Sequence, residues 1–265
     1  MTARILLLIS SLLFIPLALA ASDKAKEKRW EAQIVDALIV GEGTKLKAGN
    51  DEFLAIFAEH NTEKAMGGAI ILHGIGVHPA WPEVIQPLRT NLPDHGWATL
   101  SLQMPILKNE AKSEEYAPLF DEVPGRIQAG VDYFKKQGIQ NIVVVAHSLG
   151  ASMAAYYLAQ KPDPAVTAFV AIGMSVEKPD KKMDSSVNLR KIKLPILDIY
   201  GSRDLPQVVK SVKARSTAAN RAANKRYTQL KIEGADHFFN NMDATLVKRV
   251  RGWLANNAAG TEIKK

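Results

Sequence analysis

The sequence predicts an α/β domain, a mainly parallel twisted sheet with helices on both faces. Three observations point there. Short apolar runs such as Ala69–Leu72 and Ile142–Val145 are the mark of strands buried on both faces. Amphipathic stretches alternate with them, as in Pro124 to Gly138, where Ile127, Val131 and Phe134 share one helical face. Neither an internal repeat nor a composition break divides residues 21–265, so one domain is expected.

Taken in order, Gly43–Lys47 and Phe53–Glu59 read as two antiparallel strands joined by a turn at Gly49-Asn50-Asp51. After Ala69–Leu72 comes a helix over Pro82–Asn91, stopped by Pro93 and Gly96, and then a strand over Trp97–Gln103. Ile106 to Phe120 is irregular and is expected to form at most a partial lid. Pro124 opens the next helix and Gly138 closes it. The strand Ile142–Val145 leads into a small-residue helix that ends near Gln160. Val166–Ile172 and Leu194–Tyr200 are two further buried strands, separated by too few residues for a large helical cap. A helix from Pro206, a strand over Tyr227–Ile232 and a final helix carrying Leu246, Val250, Trp253 and Leu254 complete the chain. Ligands of such open sheets bind beyond the carboxyl ends of the strands.

The amino terminus has the layout of an export signal. Arg4 is followed by an apolar run from Ile5 to Leu17, and Ala18-Leu19-Ala20 offers a peptidase site with cleavage after Ala20. Residues 1–20 are therefore expected to leave, and the polar stretch Ser22–Arg29 to open a periplasmic or secreted mature protein. With no cysteine, the chain has neither disulfides nor a lipid-modified cysteine. The formal charge of +7 falls to +6 once Arg4 is gone. Much of the excess sits in Lys181–Lys193 and Lys210–Arg226, which suits solvated helix faces or contact with an anionic lipid or cell-wall surface. A nucleic-acid partner is not expected, and the mature chain has no apolar stretch long enough to span a bilayer.

The chemistry centres on Ser148 in Ala146-His147-Ser148-Leu149-Gly150, between the most strand-like run and a helix. A sharp strand-to-helix turn lifts a serine oxygen clear of the sheet, and only small residues fit two positions to either side. Ala146 stands where glycine is usual. A serine hydroxyl is a weak nucleophile and needs a base held by a third group. Of the six histidines, His237 fits best, on the loop after the strand Tyr227–Ile232. Asp204, just past the strand Leu194–Tyr200, is the candidate acid; Asp198 lies inside that strand and Asp236 adjoins His237. The backbone N–H groups of Leu149 and Ile75 are the candidate oxyanion donors, and Gly74 and Gly76 allow close approach of backbone to substrate. His78 and Trp81 are candidates to line the pocket, while His73 reads as a structural hydrogen-bonder and His147 as pointing away from the reacting carbonyl. Neither metal-ligand spacing nor a phosphate-cradling or dinucleotide fingerprint occurs, so no cofactor is expected.

With these motifs in place, the chain resembles the α/β-hydrolase superfamily along essentially all of its mature length. It is similar in particular to a group of Gram-negative envelope hydrolases classed as a domain of unknown function, through Leu72-His73-Gly74-Ile75-Gly76-Val77-His78-Pro79 and the Ser148 pentapeptide. The resemblance implies acyl transfer through a serine ester, with water as the usual acceptor, and implies no substrate. The stretch between Ile172 and Leu194, too short for a large cap, points to an accessible site taking small or medium acyl esters. Two other readings share these residues: a non-catalytic envelope binding or assembly protein, to which Ala146 is the pointer, and an acyltransferase using the same triad.

Overall fold

The computed structural model describes residues 21–160, 162–176, 179–258 and 260; the export signal expected over residues 1–20 lies outside them. Eight strands form one sheet in the order β1-β2-β4-β3-β5-β6-β7-β8. β1 (Glu42–Ala48) and β2 (Asp51–Ala58) are the expected antiparallel hairpin, turned by Gly49 and Asn50, with Leu46 opposite Phe53. β2 runs antiparallel to β4 (Trp97–Leu102), and every later pairing is parallel.

β3 (Gly67–Leu72), β4 and β5 (Ile142–His147) are buried at every position. That explains why they read as unbroken apolar runs: a strand covered on both faces has no solvent side to carry polar residues. One layer packs Leu100, Leu102, Val144 and Phe169 against Ile127, Val131 and Phe134 of α3 (Val123–Lys136). The opposite layer packs Ile71, Val145, Val170 and Leu197 against Leu88 of α2 (Ile85–Asn91) and Leu246, Val250 and Leu254 of α7 (Asp243–Asn257). α4 (Leu149–Leu158) follows β5 directly, and its run of small residues lets it sit close to the sheet.

Two elements were not anticipated from the sequence. The polar stretch after Ala20, read only as the start of the mature chain, leads into α1 (Lys24–Asp36), capped by Asp23 through the Lys26 N–H at 2.9 Å. Its polar residues face inward as well as outward. Glu27 is buried against the Arg126 guanidinium at 3.0 Å, and Arg126 also reaches the Ser22 hydroxyl at 3.2 Å, Glu122 at 3.1 Å and the Gln103 carbonyl at 2.7 Å. Periodicity of apolar residues cannot reveal a helix held by ion pairs. Within Ile106 to Phe120 a tight helical segment runs from Ser113 to Asp121, and its Tyr116 is buried, with its hydroxyl accepting from the Leu107 N–H at 3.1 Å.

β6 (Val166–Ile172) is followed by a short connection in which α5 (Ser185–Leu189) is the one helix among the described residues. β7 (Ile196–Arg203) and β8 (Tyr227–Asp236) flank α6 (Pro206–Arg221), and both strands run several residues further than their apolar cores suggest. Consequently Asp204 and His237 are the residues that immediately follow β7 and β8. No helix among the described residues is long and apolar enough to cross a membrane.

Candidate active site

Ser148 occupies the first position after β5 with φ 55° and ψ −125°, a backbone region that a side chain with a β-carbon rarely adopts. Such a conformation costs about 1–3 kcal/mol and persists only where the surroundings impose it. They do so here. The Ser148 N–H donates to the Ile172 carbonyl at 2.8 Å, and a β-carbon at Gly150 would lie 2.3 Å from the His73 carbonyl oxygen. A β-carbon at Gly74 would lie 3.1 Å from that of Ser148. The turn therefore requires the small residues that the sequence supplies.

The side chains of Ser148, His237 and Asp204 meet at the carboxyl ends of β5, β8 and β7. His237 Nδ1 lies 2.6 Å from Asp204 Oδ1, and His237 Nε2 lies 2.9 Å from Ser148 Oγ. A carboxylate can only accept, so Nδ1 carries the proton and Nε2 is left to accept from the serine hydroxyl. Oδ1 of Asp204 also accepts from the Leu205 N–H at 2.7 Å, and Oδ2 accepts from the Gly201 N–H at 3.2 Å. Burial alone would raise the Asp204 carboxyl; its hydrogen bonds to His237, Gly201 and Leu205 outweigh burial and hold it below its ordinary value. Gly173, at φ +58°, leaves room for the imidazole: a β-carbon there would come 3.0 Å from His237 Nδ1.

Asp198 is placed elsewhere. It is fully buried inside β7, where it accepts from Arg215 Nε at 2.8 Å and from Gln229 Nε2 at 3.0 Å, and also bonds the Tyr227 hydroxyl. Asp236 accepts from the N–H groups of Phe238 and Asn240 and shapes the loop that carries His237.

A cavity of about 220 Å³ opens onto Ser148 and His237. Gly74, Ile75, Trp81 and Leu149 line it, together with Val77, Ser113, His147, Leu205, Gln207 and Phe238. Gly76 and His78 are not among its walls. His78 instead packs edge-on against Trp30 and Trp81, with ring centroids 5.1 and 5.3 Å away, and lines a second cavity. As the first residue of α4, Leu149 has an N–H with no acceptor inside its own helix.

Two histidines support the site without titrating near neutrality. His73 accepts from the Met104 N–H at 2.9 Å through Nε2 and donates through Nδ1 to the Gly74 carbonyl at 2.9 Å, fixing the loop that carries Ile75. Burial drives it down to about 3. His147 is also driven to about 3 by burial, and donates through Nε2 to the main-chain oxygen of His237 at 3.0 Å. His147 was not anticipated from the sequence to contact the main chain of His237. The sequence places it beside Ser148 but carries no sign that its ring crosses to the β8 loop. Among the described residues, no group of three His, Cys, Asp or Glu side chains is placed to hold a metal ion.

This sheet order, with the strand-to-helix turn at Ser148, defines an α/β-hydrolase fold. Solved structures share it: the dienelactone hydrolase of Anabaena variabilis ATCC 29413 superposes with a TM-score of 0.67 at 18% identity over 82% of this chain and 98% of the other. Est1E from Butyrivibrio proteoclasticus gives 0.66 at 17% identity over 83% and 100%. An alpha-beta serine hydrolase homologue from Coxiella burnetii gives 0.62 at 16% identity over 81% and 98%. The sequence profile of the family described as "Protein of unknown function (DUF3530)" matches residues 5–122 and 108–256, and the chain belongs to that family. No curated protein matches the sequence.

Proposed function

We propose that the protein is an exported serine hydrolase that cleaves small or medium acyl esters through Ser148, His237 and Asp204. The observation that carries this reading is the continuous chain of hydrogen bonds from Asp204 Oδ1 to Ser148 Oγ, at 2.6 and 2.9 Å, on a strained turn. His237 takes the hydroxyl proton as Ser148 Oγ bonds to the ester carbonyl carbon, and Asp204 stabilises the imidazolium. The carbonyl oxygen, now negative, is received by the N–H groups of Leu149 and Ile75. His237 returns the proton to the departing alcohol. It then activates a water that releases the acid and regenerates Ser148.

A pocket of about 220 Å³ is smaller than the roughly 300–1,000 Å³ of sites that enclose drug-sized ligands, which supports short acyl groups. Ile75, Leu205 and Phe238 stand exposed around it, and Lys210 and Lys213 lie exposed on α6 nearby. That combination suits substrate presented at an anionic envelope surface, in keeping with the export signal read over residues 1–20. The test is a fluorophosphonate label located by mass spectrometry, with hydrolysis of p-nitrophenyl esters from acetate to dodecanoate. Label on Ser148, and acetate or butyrate activity reduced by several orders of magnitude in Ser148→Ala, is the expected result. Undiminished activity in that variant, or activity confined to the longest chains, refutes it.

A further inference from the structure

Apart from the catalytic pocket, a cavity of about 520 Å³ is lined by Trp30 and His78, the latter packed on Trp81. It is more than twice the size of the site at Ser148 and within the range of small-molecule sites, about 300–1,000 Å³. The carboxyl end of α1 and the segment that follows it form one wall, with Ile34, Leu38, Ile39 and Val40 contributing aliphatic side chains. Ile39 is 97% exposed, an unusual state for a large aliphatic residue at a cavity mouth.

Arg89, on α2, lines the same cavity and is only 3% exposed. Its guanidinium donates to the Val40 carbonyl, but Nε is buried with no hydrogen-bond partner, and no carboxylate among the described residues lies within ion-pair distance. Taking a charge out of water costs several kcal/mol unless a counter-charge or a full set of acceptors replaces the lost hydration. Arg126 and Arg215, the other two buried arginines among the described residues, each also have one unpartnered nitrogen but have a carboxylate partner. Arg89 is the exception, and it is the one that faces an open cavity. Beside it, His78 accepts from the Ala80 N–H through Nδ1 at 3.3 Å, which leaves Nε2 as its proton-bearing nitrogen.

We propose that this cavity is a binding site for an amphipathic carboxylate, an anionic head that pairs with Arg89 and an aliphatic chain that lies along Leu38, Ile39 and Val40. A guanidinium matches a carboxylate geometrically and supplies charge-assisted hydrogen bonds, and the exposed aliphatic rim gives the chain surface to cover. A neutral ligand would leave the cation unpaired. A small anion such as phosphate would leave the rim in water. The site is separate from Ser148 and does not depend on what the triad does.

The experiment titrates dodecanoate, dodecanol and inorganic phosphate into the mature protein by calorimetry. Covalent mapping with a diazirine-bearing fatty acid follows. Saturable dodecanoate binding is expected, at least tenfold tighter than that of dodecanol or phosphate, with label in the peptides spanning 30–40 and 78–90. Arg89→Gln is expected to weaken dodecanoate by roughly tenfold or more, and Arg89→Lys to restore part of it. Should Arg89→Gln fail to fold, Ala37→Trp decides: at this exposed wall position the indole fills the cavity, and binding is expected to fall at least tenfold. The proposal is overturned by absence of saturable binding, equal affinity for the neutral alcohol, phosphate binding as tight as dodecanoate, label confined to the peptides around Ser148 and His237, or wild-type affinity in a folded Arg89→Gln or in Ala37→Trp.

Discussion

The ring of His147 is tied to the main chain of the residue it neighbours in the site: Nε2 of His147 donates to the carbonyl oxygen of His237 at 3.0 Å, and the two imidazoles lie 4.8 Å apart between centroids. The bond joins the carboxyl end of β5 to the loop after β8, so the residue adjacent to Ser148 holds the segment that carries His237. Phe238 packs against both rings, 5.2 Å from that of His237 and 6.0 Å from that of His147. In the proposed reaction His147 is a positioning residue. His147→Ala is expected to lower kcat about 10–100-fold with little change in KM, because displacement of a catalytic group by about 1 Å costs on that order. His147→Gln, whose amide can still donate, is expected to recover part of the loss. Steady-state kinetics on a short-chain ester checks both; an unchanged kcat in a folded His147→Ala shows that the bond does not position the base.

Asp204→Asn separates orientation from charge. The variant keeps the shape of the carboxylate, but its amide donates where an acceptor is needed, so His237 is driven to present the wrong nitrogen to Ser148. A fall in kcat of about 10³–10⁴-fold is expected, with the fold retained. Asp198→Asn serves as the comparison, since Asp198 lies in the Arg215, Tyr227 and Gln229 network. It is expected to reduce stability more than kcat. The reverse pattern would transfer the acid role to Asp198.

How much of this was legible in the sequence depends on what held each element. β3, β5 and β6 are buried on both faces, and their apolar runs mark them within a residue or two. The ends of β7 and β8 were less visible. Gly201-Ser202-Arg203 and Glu233-Gly234-Ala235-Asp236 continue the pairing without an apolar pattern, because the end of a sheet is partly solvated. α1 was not legible, because its stabilising contacts are charged and its partners, Glu122 and Arg126, lie about a hundred residues away. Ser148, Asp204 and His237 could be singled out because each follows a strand, and strand ends converge. The ring of His147 and the wall position of His78 depend on side-chain direction, which strand and helix patterns do not encode.

Two buried histidines, His73 and His147, and the half-buried His78 give a pH signature that is independent of catalysis. His73 and His147 are lowered to about 3 and His78 to about 4, each with burial as the leading cause. A histidine whose folded value lies below its unfolded value of about 6.5 binds its proton more readily in the unfolded chain. Stability is therefore complete above about pH 6.5 and declines as pH falls through the unfolded value towards the folded ones, with a limiting slope of about 1.4 kcal/mol per pH unit for each histidine. Urea unfolding midpoints are expected to fall steadily between pH 6.5 and 4. A smaller decline in His73→Asn would assign that residue's share; midpoints that stay level over the interval would contradict the argument.

Gly150 is required by close approach rather than by backbone freedom. A β-carbon there would meet the carbonyl oxygen of His73 at 2.3 Å, with the Leu72 carbonyl oxygen at 3.0 Å, and both contacts are backbone at the end of a buried strand. Gly150→Ala is expected to destabilise the protein by about 1–3 kcal/mol and to shift the loop that carries Gly74 and Ile75. Activity should fall more than stability alone explains, since that loop supplies a proposed oxyanion donor. Thermal unfolding with kcat measured well below the transition checks this, and a variant with native activity would show that the loop accommodates the methyl group.

The α1 anchor gives the last prediction. Arg126 is about 1% exposed along its side chain and Glu27 about 7%, with Glu122 and Ser22 completing the cluster. Removing one member of a buried ion pair leaves its partner unpaired in a medium that solvates charge poorly, at a cost of about 3–5 kcal/mol. Arg126→Met is expected to cost that amount, because it leaves the buried Glu27 without its cation, while Glu122 keeps Lys24 at 3.2 Å. The double replacement Glu27→Met with Arg126→Met should cost less than the two single changes added together, since it removes both ends of the pair. Both are read by denaturant unfolding. Strict additivity would mean that α1 is held by its aliphatic contacts, Ile34 against Leu54 and Ile56, and not by the ion pair.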